Sequence, residues 1–311
     1  MNPTNAVFIT ALSIIGLGFF LKYKGIITEK EGKIITKLLV HTTFPALVFV
    51  TIMRVKIEAD LLLLPVFCIS FSAISMTIAG LLFKSQTKRL RGLLTMASGG
   101  FNLGLFAFPL IEGIWGPAGM VFAALFDMGN SIVVFCMVYG TGVIFAETNE
   151  AQVVRKREKL KKAFLKIFTL LPFQAMLLGL FVNLTKIELP EVLVNIIDIL
   201  AKGNKVLVLL IMGIYLSIEL KPEIFKKIAR VLVIRYAVGL TLGFFLYYNL
   251  PFEPLYRSIV LICMILPVGM TLLPFADELG YDSKIAGLLV NISMIISFVL
   301  MWGLVLGMGL R

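Results

Sequence analysis

The stretch GGFNLGLFAFPL, from Gly99 to Leu110, is apolar enough for lipid yet badly suited to a continuous lipid-facing helix. It carries Asn102 in mid-run, three Gly residues, and Pro109 seven residues after the Asn. Gly and Pro are the weakest helix formers, and Pro109, lacking an N–H, deprives the Leu105 carbonyl of its helical partner. In lipid an unpaired carbonyl is costly, so interrupted backbone survives only where protein or a water-filled cavity receives it. The stretch therefore reads as a broken helix facing the protein interior, and the rest of the chain must supply its surroundings.

The chain has 311 residues, 59% of them hydrophobic and 15% charged, with a mean hydropathy of +0.99. Repeated apolar runs of about 20 residues, the length that crosses a bilayer, place it among polytopic helical membrane proteins. Ten spans are expected, at 5–21, 34–52, 61–83, 92–113, 118–145, 165–184, 204–220, 231–249, 257–276 and 285–308. The first lacks a basic region before it and a small-residue cleavage site, so it reads as a retained span. An amphipathic lead-in at 190–203, with Asp198 and Lys202, reads as an interfacial segment before the seventh span. Cys68, Cys136 and Cys263 all fall in apolar runs and read as small buried hydrophobes, with no disulfide framework.

The net charge of +11 divides unequally between alternate loops. Lys22, Lys24, Lys30 and Lys33 follow the first span, and Lys84, Lys88, Arg89 and Arg91 the third. Seven basic residues in RKREKLKKAFLK (155–166) follow the fifth, Lys221, Lys226, Lys227 and Arg230 the seventh, and Lys284 the ninth. The opposite loops hold only Arg54, Lys56, Lys186, Lys202, Lys205 and Arg257, with Arg311 at the end. Under the positive-inside rule both termini lie outside a plasma (inner) membrane crossed many times. The same asymmetry accounts for the charge without a nucleic-acid partner. The 155–166 run fits either a basic segment on the anionic leaflet or a solvated loop. The chain divides into a first five-helix half (1–145), a basic linker (146–164) and a second half (165–311).

A second break matches the first. In ICMILPVGMTLLPFADELG (262–280), Pro267 and Pro274 are seven residues apart and release the carbonyls of Cys263 and Met270. Each broken span is the fourth of five, and five is odd, so the two halves are inverted. Pro109 leads to Gly116 and Asp127 as Pro274 leads to Gly280 and Asn291, with one gap. Paired interrupted segments in inverted halves are the best sequence pointer to a transporter site at the bilayer midplane. Half-helix N-termini there present N–H groups and a positive dipole end to an anion.

These residues resemble the auxin efflux carrier family, in its bacterial type. FNLGLFAFPLIEGIWGPAGM is similar to the family's fourth-span pattern, FPALVF (Phe44 to Phe49) to its second and LFDMGN to its fifth. LPVGMTLLPFADELGYDSKIA is similar to its ninth-span crossover. The resemblance implies an all-α protein of ten transmembrane helices, two inverted repeats with crossed broken helices 4 and 9, like the NhaA and bile-acid-symporter folds. It further implies export or exchange of organic acids, a homodimer, and site roles for Asn102, Pro109 and Pro267. Thr271 stands where many bacterial relatives carry Asn, and Pro274 is an additional proline.

Ionisable and polar residues inside a membrane are costly and so are functional candidates. Asp127 would exchange a proton or help hold a cation, or else bond the freed backbone N–H groups. Asn130 and Ser131 share its face. His41, the only histidine, would be a pH-sensitive gate or substrate donor, or an interior brace of the kink at Pro45. Asn102 would donate to a substrate carboxylate or satisfy freed carbonyls. Leu103, Gly104, Gly269, Thr271 and Asn291 complete the expected substrate site at the two breaks. Lys37 and Arg235 are expected to snorkel to the inner face.

The expected function is a secondary transporter of small organic anions, such as carboxylates or auxin-like acids, working by elevator-type alternating access. A sodium-coupled bile-acid-type symporter and a non-transporting sensor are the alternatives, with proton or sodium as the coupling ion. No cofactor or metal is expected: GxxxxGK[ST] and HExxH are absent, and one His with scattered Cys does not build a zinc site. An enzyme is not expected.

Overall fold

The computed structural model describes residues 3–55, 59–146, 153–216 and 222–310. Lys56, Lys221 and Arg311 of the charge count, and part of the 146–164 linker, lie outside the described residues. Among the described residues every regular element is helical. The first half contains α1 (Pro3–Tyr23), α2 (Glu29–His41), α3 (Thr43–Met53), α4 (Leu63–Leu82), α5 (Lys88–Ser98), α6 (Phe108–Ile132) and α7 (Tyr139–Phe145). The second contains α8 (Val153–Thr169), α9 (Leu171–Thr185), α10 (Glu191–Tyr215), α11 (Pro222–Asn249), α12 (Pro254–Met264), α13 (Leu272–Leu279) and α14 (Ser283–Gly307).

Six helical stretches among the described residues are long and apolar enough to cross a membrane, as a polytopic membrane protein requires. One of them, Leu103–Phe145, runs 43 residues, which at 1.5 Å each is about twice the thickness of a hydrocarbon core. It kinks at Gly116, whose φ of 62° and ψ of −155° lie where a side chain is strained, with Pro117 next. Leu160–Thr169 and Leu171–Thr185 form a bent pair at 51°.

Packing follows small residues. A Cβ on Gly213 would lie 2.0 Å from the Ile15 carbonyl oxygen, and one on Gly18 2.2 Å from that of Leu210, so α1 and α10 meet backbone to backbone. Gly129 brings α6 equally close to Pro65 of α4. Such contacts replace the hydrophobic drive that lipid does not supply between helices.

Four expectations change. The lead-in at 190–203 is continuous with the following span: α10 is one helix from Glu191 to Tyr215. The run containing 155–166 is helical, within α8. The first break lies upstream of Pro109: α5 ends at Ser98, the chain is irregular through Asn102, and a π-helical turn (Leu103–Ala107) leads into α6. Pro109 is the second residue of α6, into which the π turn runs without interruption. Likewise Pro274 sits in the first turn of α13, and the second break is the non-helical run between α12 and α13 around Pro267. The carbonyls of Cys263 and Met270 are not orphaned; they accept from Leu266 and Leu273 N–H at 3.4 and 3.2 Å.

Candidate functional site

The two breaks touch. Asn102 N–H donates to the Pro267 carbonyl at 3.1 Å, joining the irregular segments directly. Gly269 makes room for this: a Cβ there would lie 3.2 Å from the Phe101 carbonyl oxygen. Gly100 takes φ +63°, a left-handed turn that a side chain resists.

The carbonyls that need partners are those of Ser98, Gly99, Gly100, Leu266 and Pro267, and Arg235 serves all five. Its Nε donates to Leu266 (3.2 Å) and its Nη1 to Ser98 (3.1 Å) and Gly99 (3.3 Å). Its Nη2 reaches Gly100 (2.6 Å), Leu266 (3.0 Å) and Pro267 (3.2 Å). The guanidinium lies 4.6 Å from the Phe101 ring centroid and 5.8 Å from that of Phe71. Arg235 is 0% exposed, which corrects its expected snorkelling. The reason is helix length: α11 starts at Pro222, nine residues before the expected 231, so Arg235 stands about 20 Å along it, too deep for its stem to reach an end. A guanidinium suits this place because its five donors are arranged as a rigid planar fork and remain charged.

Polar side chains finish the two breaks in parallel ways. The Asn130 amide pairs with the Phe101 peptide on both sides, accepting from its N–H (2.8 Å) and donating to its carbonyl (3.0 Å). Asn130 also donates to Asp127 Oδ1 at 2.9 Å. In the second break Ser293 accepts from Val268 N–H at 3.0 Å and Ser297 donates to the Ile265 carbonyl at 2.7 Å. The Tyr236 hydroxyl donates to the Ser293 carbonyl and lies 2.8 Å from Ser297 Oγ. Arg235, Tyr236, Ser293 and Ser297 were not singled out in the sequence as site residues. The i, i+4 pair of serines on one face of an apolar span was the available signal.

Beside the crossing lies a cavity of ≈ 230 Å³. Asn102, Leu103 and Gly104 line it from the first break, and Gly269 and Thr271 from the second. Asp127, Asn130 and Ser131 line it from α6. The rest of the wall is mostly apolar, with Phe44 of α3, Phe135 and Phe173 of α9. The π turn beginning at Leu103 starts at this wall, and the first N–H groups of a helix have no partner within it, whereas those of α13 are taken: Leu272 and Leu273 N–H donate to the Gly269 and Met270 carbonyls at 3.0 and 3.2 Å. Asn102, 5% exposed, does not use its side chain on the freed carbonyls; its amide makes only a 3.9 Å contact with Met294 Sδ. Nor does Asp127 bond the backbone, since Asn130 takes that part.

Not every expected residue meets here. Pro267 contributes its carbonyl to the crossing, while Pro109 is buried in α6 away from the cavity wall. Asn291 lines a second cavity. His41 is exposed, with Nδ1 2.7 Å from the Lys37 carbonyl one turn back, so it is not an interior brace. Lys37 is exposed as expected.

A family model described as membrane transport protein matches residues 6–305. An uncharacterized transporter of Methanothermobacter thermautotrophicus is 25% identical, over 98% of this chain and 99% of its own length. An uncharacterized transporter of Methanocaldococcus jannaschii is 21% identical, again over 98% and 99%.

Proposed function

Since this chain belongs to the membrane transport protein family, the auxin efflux carrier family of its sequence resemblance, and is a transporter rather than an enzyme, we propose that it moves small organic anions by secondary transport. The observation that carries this reading is the cavity at the crossing, where Asn102, Thr271 and the start of the π turn at Leu103 face a largely apolar wall. A helix N-terminus and an amide donor suit a carboxylate, and the phenylalanine wall suits an apolar tail. The buried guanidinium of Arg235 adds a positive field at the same place, and neither ion pair among the described residues involves it.

The reading extends to architecture. Ten spans arise if Leu103–Phe145 turns back at Gly116 and the pieces α5 to α6 and α12 to α13 each cross as broken spans. Two inverted five-helix repeats then place the breaks in equivalent positions, with the cavity between a moving part and a fixed one, as an elevator requires. Both termini lie outside the plasma membrane, and a homodimer is the assembled form. Asp127, on the cavity wall with only Asn130 as its bonded side-chain partner, is the group proposed to exchange a coupling proton or to hold sodium.

The test is a thermal-shift screen of purified protein against mono- and dicarboxylates and indole acids at pH 5.5 and 7.5, with and without sodium. A ligand that binds the folded state raises its stability by RT ln(1 + [L]/Kd), about 2.7 kcal/mol at a hundredfold excess over Kd. A carboxylate is expected to raise the midpoint, and Asn102→Ala to lose that rise while keeping its ligand-free midpoint. A hit confined to low pH supports proton coupling, and one that requires sodium the symporter alternative. No stabilisation by any acid, or full stabilisation of the Asn102 variant, would overturn the anion site as drawn.

A further inference from the structure

A second cavity, of ≈ 440 Å³, adjoins the first. Lys33 of α2, Tyr215 at the end of α10, Asp277 of α13, and Lys284 and Asn291 of α14 line it. It thus lies between α2 and α10 on one side and α13 and α14 on the other. One residue lines both cavities, Met270. Met270, Leu273 and Asp277 follow one another at i, i+3 and i+7, so they form one face of α13 and its approach, turned to the second cavity. Gly269 and Thr271, on either side of Met270, face the first.

The second cavity is lined by charges of both signs. Its carboxylates are already engaged: Glu29 with Lys22 at 2.6 Å, Asp277 with the Ser283 hydroxyl, and Asp282 with the N–H groups of Lys284 and Ile285 at 2.9 and 3.2 Å. Neither ion pair among the described residues includes Lys33 or Lys284. Asp277 and Asp282 thus balance Lys33 and Lys284, and a cleft lined by charged groups of both signs is one that water fills.

We propose that the second cavity is the aqueous vestibule of the site and that the Met270 side chain is the gate between them. This rests on the first cavity's being the substrate site. A methionine suits the part: unbranched, with three rotatable bonds and an apolar, polarisable end, it closes a gap tightly and swings aside at small cost. Its thioether, a weak acceptor at most, has little hydrogen bonding to give up when it moves. A ligand that enters from the second cavity therefore meets a thioether before it meets Asn102.

The gate is testable without a substrate. Ser131→Cys places a thiol in the first cavity, and Gly287→Cys places one in the second. Cys136→Ala removes the half-buried native thiol, while Cys68 and Cys263, both 0% exposed, stay. The protein is held in lipid nanodiscs and treated with an anionic, membrane-impermeant methanethiosulfonate. With Met270 or Met270→Leu, which keeps the volume, the thiol of Ser131→Cys is expected to react slowly. With Met270→Ala it should react on the order of tenfold faster, and with Met270→Trp not measurably. The thiol of Gly287→Cys should react equally in all four backgrounds. Equal first-cavity rates in all four, or no reaction there even with Met270→Ala, would overturn the gate while leaving the anion reading untouched. Failure of the carboxylate screen would remove that reading and leave a Met270-dependent labelling rate standing.

Discussion

Arg235 concentrates at one residue the cost of breaking two helices inside a membrane. Apart from the Pro267 carbonyl, which also accepts from Asn102 N–H, the carbonyls that it serves depend on it, and an unpaired one costs about 1–3 kcal/mol. A buried charge is itself costly, so the arrangement is stable only while the whole fork is bonded. Arg235→Met is therefore expected to destabilise the protein by several kcal/mol, in line with the loss of partners for buried groups. Arg235→Lys should fall between, since one ammonium with three donors cannot span carbonyls from both breaks. Thermal unfolding in detergent checks the order Arg, Lys, Met; a lysine variant as stable as the parent would show that charge alone suffices. This part of the site was hidden in the sequence because no local pattern near Arg235 announces its partners. They lie 31 to 137 residues away. Asn102 and Asp127 could be picked out because a polar group in an apolar run is conspicuous wherever it ends up.

Among elements, α11 has to come close to α12 for Arg235 to reach the crossing. Gly239, one turn beyond Arg235, permits it: a Cβ there would lie 2.3 Å from the Met264 carbonyl oxygen, a backbone atom that cannot swing away. Gly239→Val is thus expected to push α11 off α12 and cost about 1–3 kcal/mol, the usual penalty of overpacking. The distinguishing readout is a double mutant with Arg235→Met. If Gly239 acts by holding Arg235 in place, the two losses fall short of adding; full additivity would show that the helices separate without disturbing the guanidinium. The same scale explains why two carbonyls expected to be orphaned are not. Proline spacing led to orphaned carbonyls at Cys263 and Met270, yet the chain turns tightly there and Leu266 and Leu273 N–H donate to them.

Over the whole molecule, charge and hydropathy make a sided prediction. With both termini outside, Lys284 faces the cytoplasm and Lys186 the exterior; both are exposed. In a Cys136→Ala background, an impermeant maleimide should label Lys284→Cys only in inside-out vesicles and Lys186→Cys only in right-side-out ones. The reverse pattern would invert the proposed orientation, and labelling of each position from both sides would mean that the chain inserts both ways.

The class of protein, its family resemblance and the two interrupted stretches were readable from the chain. All of these depend on the order of apolar, charged and helix-breaking residues, and transfer into lipid reads that order locally. Folding in three dimensions settled the rest: which carbonyls went unpaired, that Arg235 and not Asn102 satisfies them, that Asn291 and His41 lie off the first cavity, and that Met270 stands between two cavities. Each of these is a pairing between residues far apart in sequence. The approach of two backbones fixes such a pairing, and no stretch of the chain encodes it alone.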